Sequence, residues 1–128
     1  MIKASAGKQI DALIADLSSD NAIKRDTAVA RLTVIGRRAV ERLIGLASNS
    51  NASAPARTAA FRSLEAIAEA RGLPTALAAL NDLDPTVAIA AVHTVRAFLR
   101  SPHGVEALDR VIEIALDRRR AALVVKVQ

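Results

Sequence analysis

The apolar residues of this chain fall into stripes with helical spacing. Ala, Leu, Val, Ile or Phe recurs every three or four residues and polar or charged residues lie between, which is the pattern of amphipathic helices. Short polar runs and isolated glycines or prolines separate the stripes. The pattern predicts eight helices, at about residues 8–18, 21–35, 37–48, 55–71, 74–82, 85–100, 103–116 and 118–128.

Four of the predicted helices are copies of one pattern. The copies begin at Arg25, Arg57, Ala88 and Arg118, so successive starts are separated by 32, 31 and 30 residues. The fourth position of every copy is alanine, the fifth is apolar, and the eighth and eleventh are apolar except at the last residue of the chain. A methyl group at a fixed position lets a neighbouring helix approach closely, so we expect this position to be a helix contact. The alanines are Ala28, Ala60, Ala91 and Ala121.

Residues that start and stop helices fall between the stripes. Pro55 and the Asp84-Pro85 and Ser101-Pro102 dipeptides are typical of helix starts, while Gly36 and Gly72 stand where helices are expected to end. Neither helix of a pair can bury its stripe alone, so the pairs are predicted to stack into a single domain over residues 1–128. Its units are a half-repeat at 8–18, repeats at 21–48, 55–82 and 85–116, and an incomplete repeat at 118–128.

The repeated pattern resembles a known family. Arg-x-x-Ala-apolar-x-x-Leu-x-x-Ile, then a glycine or turn and a second striped helix, is similar to short HEAT repeats of the bilin-lyase-like type. The best copy runs from Lys24 to Gly36, and Asp84 to Val87 is a typical entry to such a helix. The resemblance implies an all-α fold, a right-handed α-α superhelix (HEAT-like solenoid) of about eight helices in antiparallel pairs.

The same resemblance implies a binding role. In HEAT stacks the second helix of each pair usually lines the concave face, so we expect a non-enzymatic module or scaffold that presents this face to a protein or peptide. The last copy stops at Gln128 without a second helix. Two explanations stay open: the chain belongs to a longer array, which we favour, or its apolar last helix associates with another copy.

Charge suggests an alternative partner. The net charge is +5 with a pI near 10.7, a balance often found in proteins that bind nucleic acid. The candidates for contacts with a partner or with phosphate groups are Arg37, Arg38, Arg42, Arg110, Arg118, Arg119 and Arg120. Acidic residues are interleaved with these clusters, and aromatics make up only 2% of the chain, so stacking platforms for bases are scarce. A nucleic-acid-associated module that uses Arg37, Arg38 and Arg118–Arg120 is therefore the second hypothesis.

Arginine also recurs at the first position of the repeat, at Arg25, Arg57 and Arg118. These side chains either form a ladder for phosphate or carboxylate ligands, or pair inside the fold with an acidic or carbonyl group on a neighbouring turn. We favour the second role, with Asp20 and Asp26 as local partners of Arg25. The third copy has Ala88 instead, so any ladder breaks there.

The sequence offers no pattern for catalysis. His93 and His103 have no carboxylate at a metal-binding spacing, and we expect His93 on or near an exposed helix face. The chain has no G-x-S-x-G motif, no Gly-rich phosphate loop and no cysteine. No apolar stretch approaches the roughly 20 residues that span a bilayer. We therefore expect a cytoplasmic protein without enzymatic activity, cofactor, metal or membrane partner.

Overall fold

The computed structural model describes residues 5–100 and four later positions, Asp109, Ile112, Glu113 and Asp117. Over residues 5–100 the chain is helical without a strand, so the all-α prediction is confirmed for this part. Within the predicted helix 103–116 the structure describes Asp109, Ile112 and Glu113, which are helical. The rest of that helix and the predicted helix 118–128, with Ser101, His103, Arg110, Arg118–Arg120 and Ala121, lie outside the described residues. The α-helices are α1 (Ala6–Asp16), α2 (Ala22–Ile35), α3 (Val40–Ala47), α4 (Ala54–Ile67), α5 (Leu73–Ala78) and α6 (Pro85–Arg100). Short 3₁₀ segments cover Gly36–Ala39, Ala70–Gly72 and Ala79–Asn81.

Side-chain caps fix the helix starts. The Asn21 carboxamide accepts a hydrogen bond from the backbone N–H of Ile23 at 2.9 Å, and the Ser53 hydroxyl accepts one from Ala56 at 3.2 Å. Asp84 accepts from the backbone N–H of Thr86 at 2.9 Å. Each cap satisfies an N–H group that has no partner inside the helix. The starts predicted at Pro55 and at Asp84-Pro85 are therefore confirmed.

The helix end predicted at Gly36 is confirmed, whereas the one predicted at Gly72 is wrong. Gly36 ends α2 with φ of 73°, a backbone conformation that favours glycine, as predicted. The prediction of one helix over 55–71 is wrong, because Ala68 takes the left-handed conformation (φ 53°, ψ 40°) and α4 ends at Ile67. Gly72 lies instead in the turn before α5. A Cβ atom there would lie 3.3 Å from Leu64 Cδ2, so glycine allows a close approach.

The helices pack in two layers. In the first layer α4 lies between α2 and α6 and contacts both. In the second layer α1 contacts α3, and α3 contacts the 3₁₀ segment that leads into α5. Contacts of α1 with α2, α3 with α4, and α5 with α6 join the layers. One cluster of buried apolar side chains runs through the whole described stack.

The alanines of the repeat lie at the centre of the first layer. Ala28, Ala60 and Ala91 are exposed by 1%, 0% and 0%, respectively. The fifth position varies: Phe61 is fully buried, whereas Val92 is 42% exposed. α6 covers Phe61, whose carbonyl accepts a hydrogen bond from the Thr94 hydroxyl at 3.2 Å. No further helix in the described part of the chain covers Val92 in the same way, so the predicted widening of the buried stripe fails there.

Candidate binding surfaces

The arginine at the first position of the repeat is used inside the fold. The Arg57 side chain is only 12% exposed, and its Nη2 lies 2.7 Å from Asp82 Oδ2. Its Nε also donates to the Ala47 carbonyl at 3.0 Å. The hydrogen bond from Arg57 is the main reason that the pKa of Asp82 lies below its ordinary value. Arg57 therefore joins the end of α3 to the loop before α6 and does not face a ligand.

Arg25 has the same kind of role with a different partner from the one expected. Its Nη1 donates to the Ser19 carbonyl at 2.7 Å, in the turn between α1 and α2. The expected partners Asp20 and Asp26 are not used; Asp26 instead pairs with Arg62 on α4 at 2.9 Å. Arg25 thus links the first turn of α2 to the chain that precedes the helix.

A series of exposed ion pairs crosses the second layer, and we call Asp11, Glu41, Arg42, Glu69 and Arg71 the second-layer ladder. Arg42 Nε lies 2.6 Å from Asp11 Oδ1, which joins α3 to α1. Arg71 Nη1 lies 2.9 Å from Glu41 Oε1, and Arg71 Nε lies 3.0 Å from Glu69 Oε2. The hydrogen bond to Glu69 is the main reason that the pKa of Arg71 is raised. The ladder therefore presents alternating charge across three successive units.

The predicted basic cluster is brought together only in part. Arg37 and Arg38 are exposed on the 3₁₀ segment after α2, and neither side chain forms an ion pair in the described part of the chain. The Arg37 carbonyl accepts a hydrogen bond from Arg71 Nη2 at 3.1 Å. Arg42, by contrast, is paired with Asp11. The ladder leaves Arg37 and Arg38 as the unpaired cations of this group.

A groove runs along α4 on the first layer. Three cavities of about 360, 390 and 800 Å³ lie along it, and Arg62 lines all of them. Thr58 and Thr86 line the two smaller ones, while Glu65 and His93 continue from the middle cavity into the largest. We call this surface the α4 groove. Its largest cavity is lined by Val29, Arg62, Glu65, Ala66, Ala68, His93, Arg96, Ala97 and Arg100.

The side chains that line the α4 groove carry charges of both signs, with more positive than negative groups. Arg62 is paired with Asp26, whereas neither Arg96 nor Arg100 forms an ion pair within the described residues. His93, Arg96 and Arg100 follow the spacing of one helix face, and His93 is exposed as expected. That spacing is the signal in the sequence that could have indicated this cluster. The sequence alone does not predict the groove, because its residues come from three helices.

The hydroxyl of Thr58, in the wall of the α4 groove, is an exception within the fold. Its Oγ1 is buried and, among the described residues, has no hydrogen-bond partner. Other hydroxyls on these helices donate to the carbonyl four residues earlier, such as Ser63 to Ala59 at 3.1 Å and Thr94 to Ala90 at 2.9 Å. A buried hydroxyl without a partner costs stability. Thr58 is thus a polar group that the described part of the fold leaves without a hydrogen bond.

Two further searches of the described residues gave negative results. No group of three or more His, Asp or Glu side chains there could hold a metal ion. None of the helices described is long and apolar enough to cross a membrane.

No protein-family model matches the chain, and no individual curated protein matches it significantly. What the protein does is therefore inferred from its own residues.

Proposed function

We propose that this chain is a non-enzymatic binding or scaffold module of the HEAT type, with a protein or peptide as its partner. The observation that carries this proposal is the packing of the first layer. Ala28, Ala60 and Ala91 occupy one register in three successive helices and are buried at the same position in each. The matching second layer, in which α1 and α3 lie side by side, supports stacked helix pairs. The right-handed superhelix is proposed from the resemblance to HEAT repeats.

The second-layer ladder is the partner-facing surface of this module. Four of its five charged groups are exposed, with side-chain exposures of 70% for Glu41 and 44% for Arg71, while Glu69 is half-buried. Charges of both signs favour a protein with complementary charges, because complementary potentials set specificity and association rate. A polyanion would meet Asp11 and Glu41 as well as the arginines. The surface therefore fits a protein partner better than a nucleic acid.

The second hypothesis, a nucleic-acid-associated module, is supported by one specific observation. Arg37 and Arg38 are exposed and form no ion pair in the part of the chain that the structure describes. With Arg118–Arg120 they would supply the phosphate contacts. Such binding falls steeply as salt rises, because cations released from the nucleic acid drive it. Titration of a duplex DNA and an RNA hairpin in low-salt and high-salt buffer separates the two hypotheses.

Charge reversal in the ladder tests the proposal. The tagged full chain is expressed in its native cells, purified with nuclease treatment, and any captured protein is purified for calorimetry. We expect Glu41→Arg to weaken binding of that protein by about tenfold, since a reversed charge meets a like charge in the partner. The double variant Glu41→Arg/Arg71→Glu keeps an ion pair within the fold but presents exchanged charges, so it should also bind weakly.

Arg31→Glu is the matched control, because Arg31 is exposed on α2 in the other layer. It should bind like the wild type. Equal affinity of all variants would refute the role of the ladder. Turnover of a metabolite by the pure chain, or a complex that nuclease destroys, would refute the proposed function itself.

A further inference from the structure

The α4 groove lies on the first layer, away from the second-layer ladder. We propose that it is a separate binding site for an extended acidic segment of a protein. The site is formed by α2, α4 and α6 together, and its residues have no part in the function proposed above.

The length of the groove suits a short extended peptide. α4 has 14 residues, so it is about 21 Å long at 1.5 Å per residue. The cavities follow it from Pro55 near its first turn to Ala68 just beyond its end. An extended chain advances about 3.3 Å per residue, so about six peptide residues fill this length.

The charge of the groove suits an acidic occupant. Its lining includes four guanidinium groups, of Arg25, Arg62, Arg96 and Arg100, against the carboxylates of Asp26 and Glu65. Arg96 and Arg100 stand one turn apart on α6 and have no ion-pair partner among the described residues. Guanidinium groups bind carboxylates through two parallel hydrogen bonds, and both groups are available for this.

The floor of the groove favours a peptide over a nucleic acid. Val29, Ala66 and Ala97 offer apolar contact area for aliphatic side chains, and the lining contains no Phe, Tyr or Trp on which a base could stack, only the imidazole of His93. Glu65 lies among the arginines and would repel a continuous run of phosphates. A peptide can place an apolar residue or a backbone N–H opposite Glu65 and carboxylates opposite Arg96 and Arg100.

Fluorescence anisotropy with the full chain tests this proposal. The probe is a labelled peptide of about eight residues in which leucine alternates with aspartate or glutamate, a length that covers the groove. The matched probe replaces every acid by its amide. We expect the acidic peptide to bind at least about tenfold more tightly than the amide peptide, and added salt to weaken its binding.

Arg96→Gln/Arg100→Gln removes the two charges that have no ion-pair partner among the described residues. It should weaken binding of the acidic peptide by at least about tenfold, a change of about 1.4 kcal/mol. Arg38→Gln is the control, because Arg38 is also exposed and without an ion pair among the described residues but lies outside the groove. It should bind the peptide like the wild type. Circular dichroism checks that all variants remain helical.

Amide chemical shifts locate the complex, and we expect changes in α4 and α6. Equal affinity of the wild type and the Arg96/Arg100 double variant overturns the proposal, as does equal binding of the acidic and amide peptides. Tighter binding of an oligothymidine, lost in the same double variant, also overturns it and makes the groove a nucleic-acid site.

Discussion

The buried alanine register makes a sharp prediction for the first layer. Ala28 and Ala30 stand two residues apart on α2, but Ala28 is 1% exposed at the helix contact while Ala30 is exposed. Leucine adds three carbon atoms at either position and is almost as good a helix former as alanine. Any large difference between Ala28→Leu and Ala30→Leu therefore reports packing between helices and not helix propensity.

The expected size follows from overpacking. Extra methylene groups in a well-packed contact cost about 1–3 kcal/mol, since the neighbouring helix must move or side chains must leave their preferred rotamers. A chain of 128 residues has a free energy of unfolding of about 6–19 kcal/mol, so Ala28→Leu still folds. Ala30→Leu should change the free energy of unfolding by less than about 0.5 kcal/mol.

Urea unfolding followed by circular dichroism measures both variants. With an m-value of about 1.5 kcal/mol per molar urea, Ala28→Leu should lower the midpoint by about 0.7–2 M. Ala60→Leu should lower it by at least as much, because α4 is enclosed by α2 and α6. Equal midpoints for Ala28→Leu and Ala30→Leu would refute the idea that this methyl group sets the distance between helices.

Three further predictions concern individual residues and use the same urea assay. Ala68→Gly should raise the free energy of unfolding by about 0.5–1 kcal/mol, because glycine adopts the left-handed conformation without strain. Glycine at an exposed interior position of α2 should instead lower the free energy of unfolding. A change of the same sign in both variants would contradict the reasoning. Thr58→Val should raise it by about 1 kcal/mol by removing the unpaired hydroxyl, whereas Thr94→Val, which loses its hydrogen bonds, should lower it. The folded-state pKa of Asp82 lies below the ordinary value of 3.8, so its contribution is complete above the ordinary pKa and is lost as the pH falls through the folded-state pKa. Asp82→Asn should therefore lose less stability on acidification than the wild type, and an identical acid dependence would show that the bond from Arg57 does not couple to folding.

Much of the fold could be predicted because its signals are local. The caps at Ser53 and Asp84 and the glycine at Gly36 act within a few residues of chain, so the boundaries they set are readable. The end of α4 could not be predicted in this way, because alanine, the residue at position 68, is a strong helix former. After its left-handed turn the chain brings Gly72 back against Leu64 of α4, a contact that no local pattern in the sequence indicates.

The candidate surfaces were less predictable because their partners are distant in sequence. Arg42 has Glu41 beside it in the chain, yet it pairs with Asp11 on another helix. Glu41 in turn pairs with Arg71, which no local motif distinguishes. The α4 groove depends on the arrangement of three helices, so its arginines look like ordinary exposed residues until the layer is assembled.

The position of Arg57 has a consequence for how the stack comes apart. Repeat proteins in which each unit contacts only its neighbours can unravel from an end, one unit at a time. Arg57 is held by the carbonyl of Ala47 on one side and by Asp82 on the other, so one side chain links the unit 21–48 to the end of its own unit, 55–82. Opening at either of these contacts exposes the remaining one to water. The units 21–48 and 55–82 should therefore open together, with amides that exchange with solvent at similar rates.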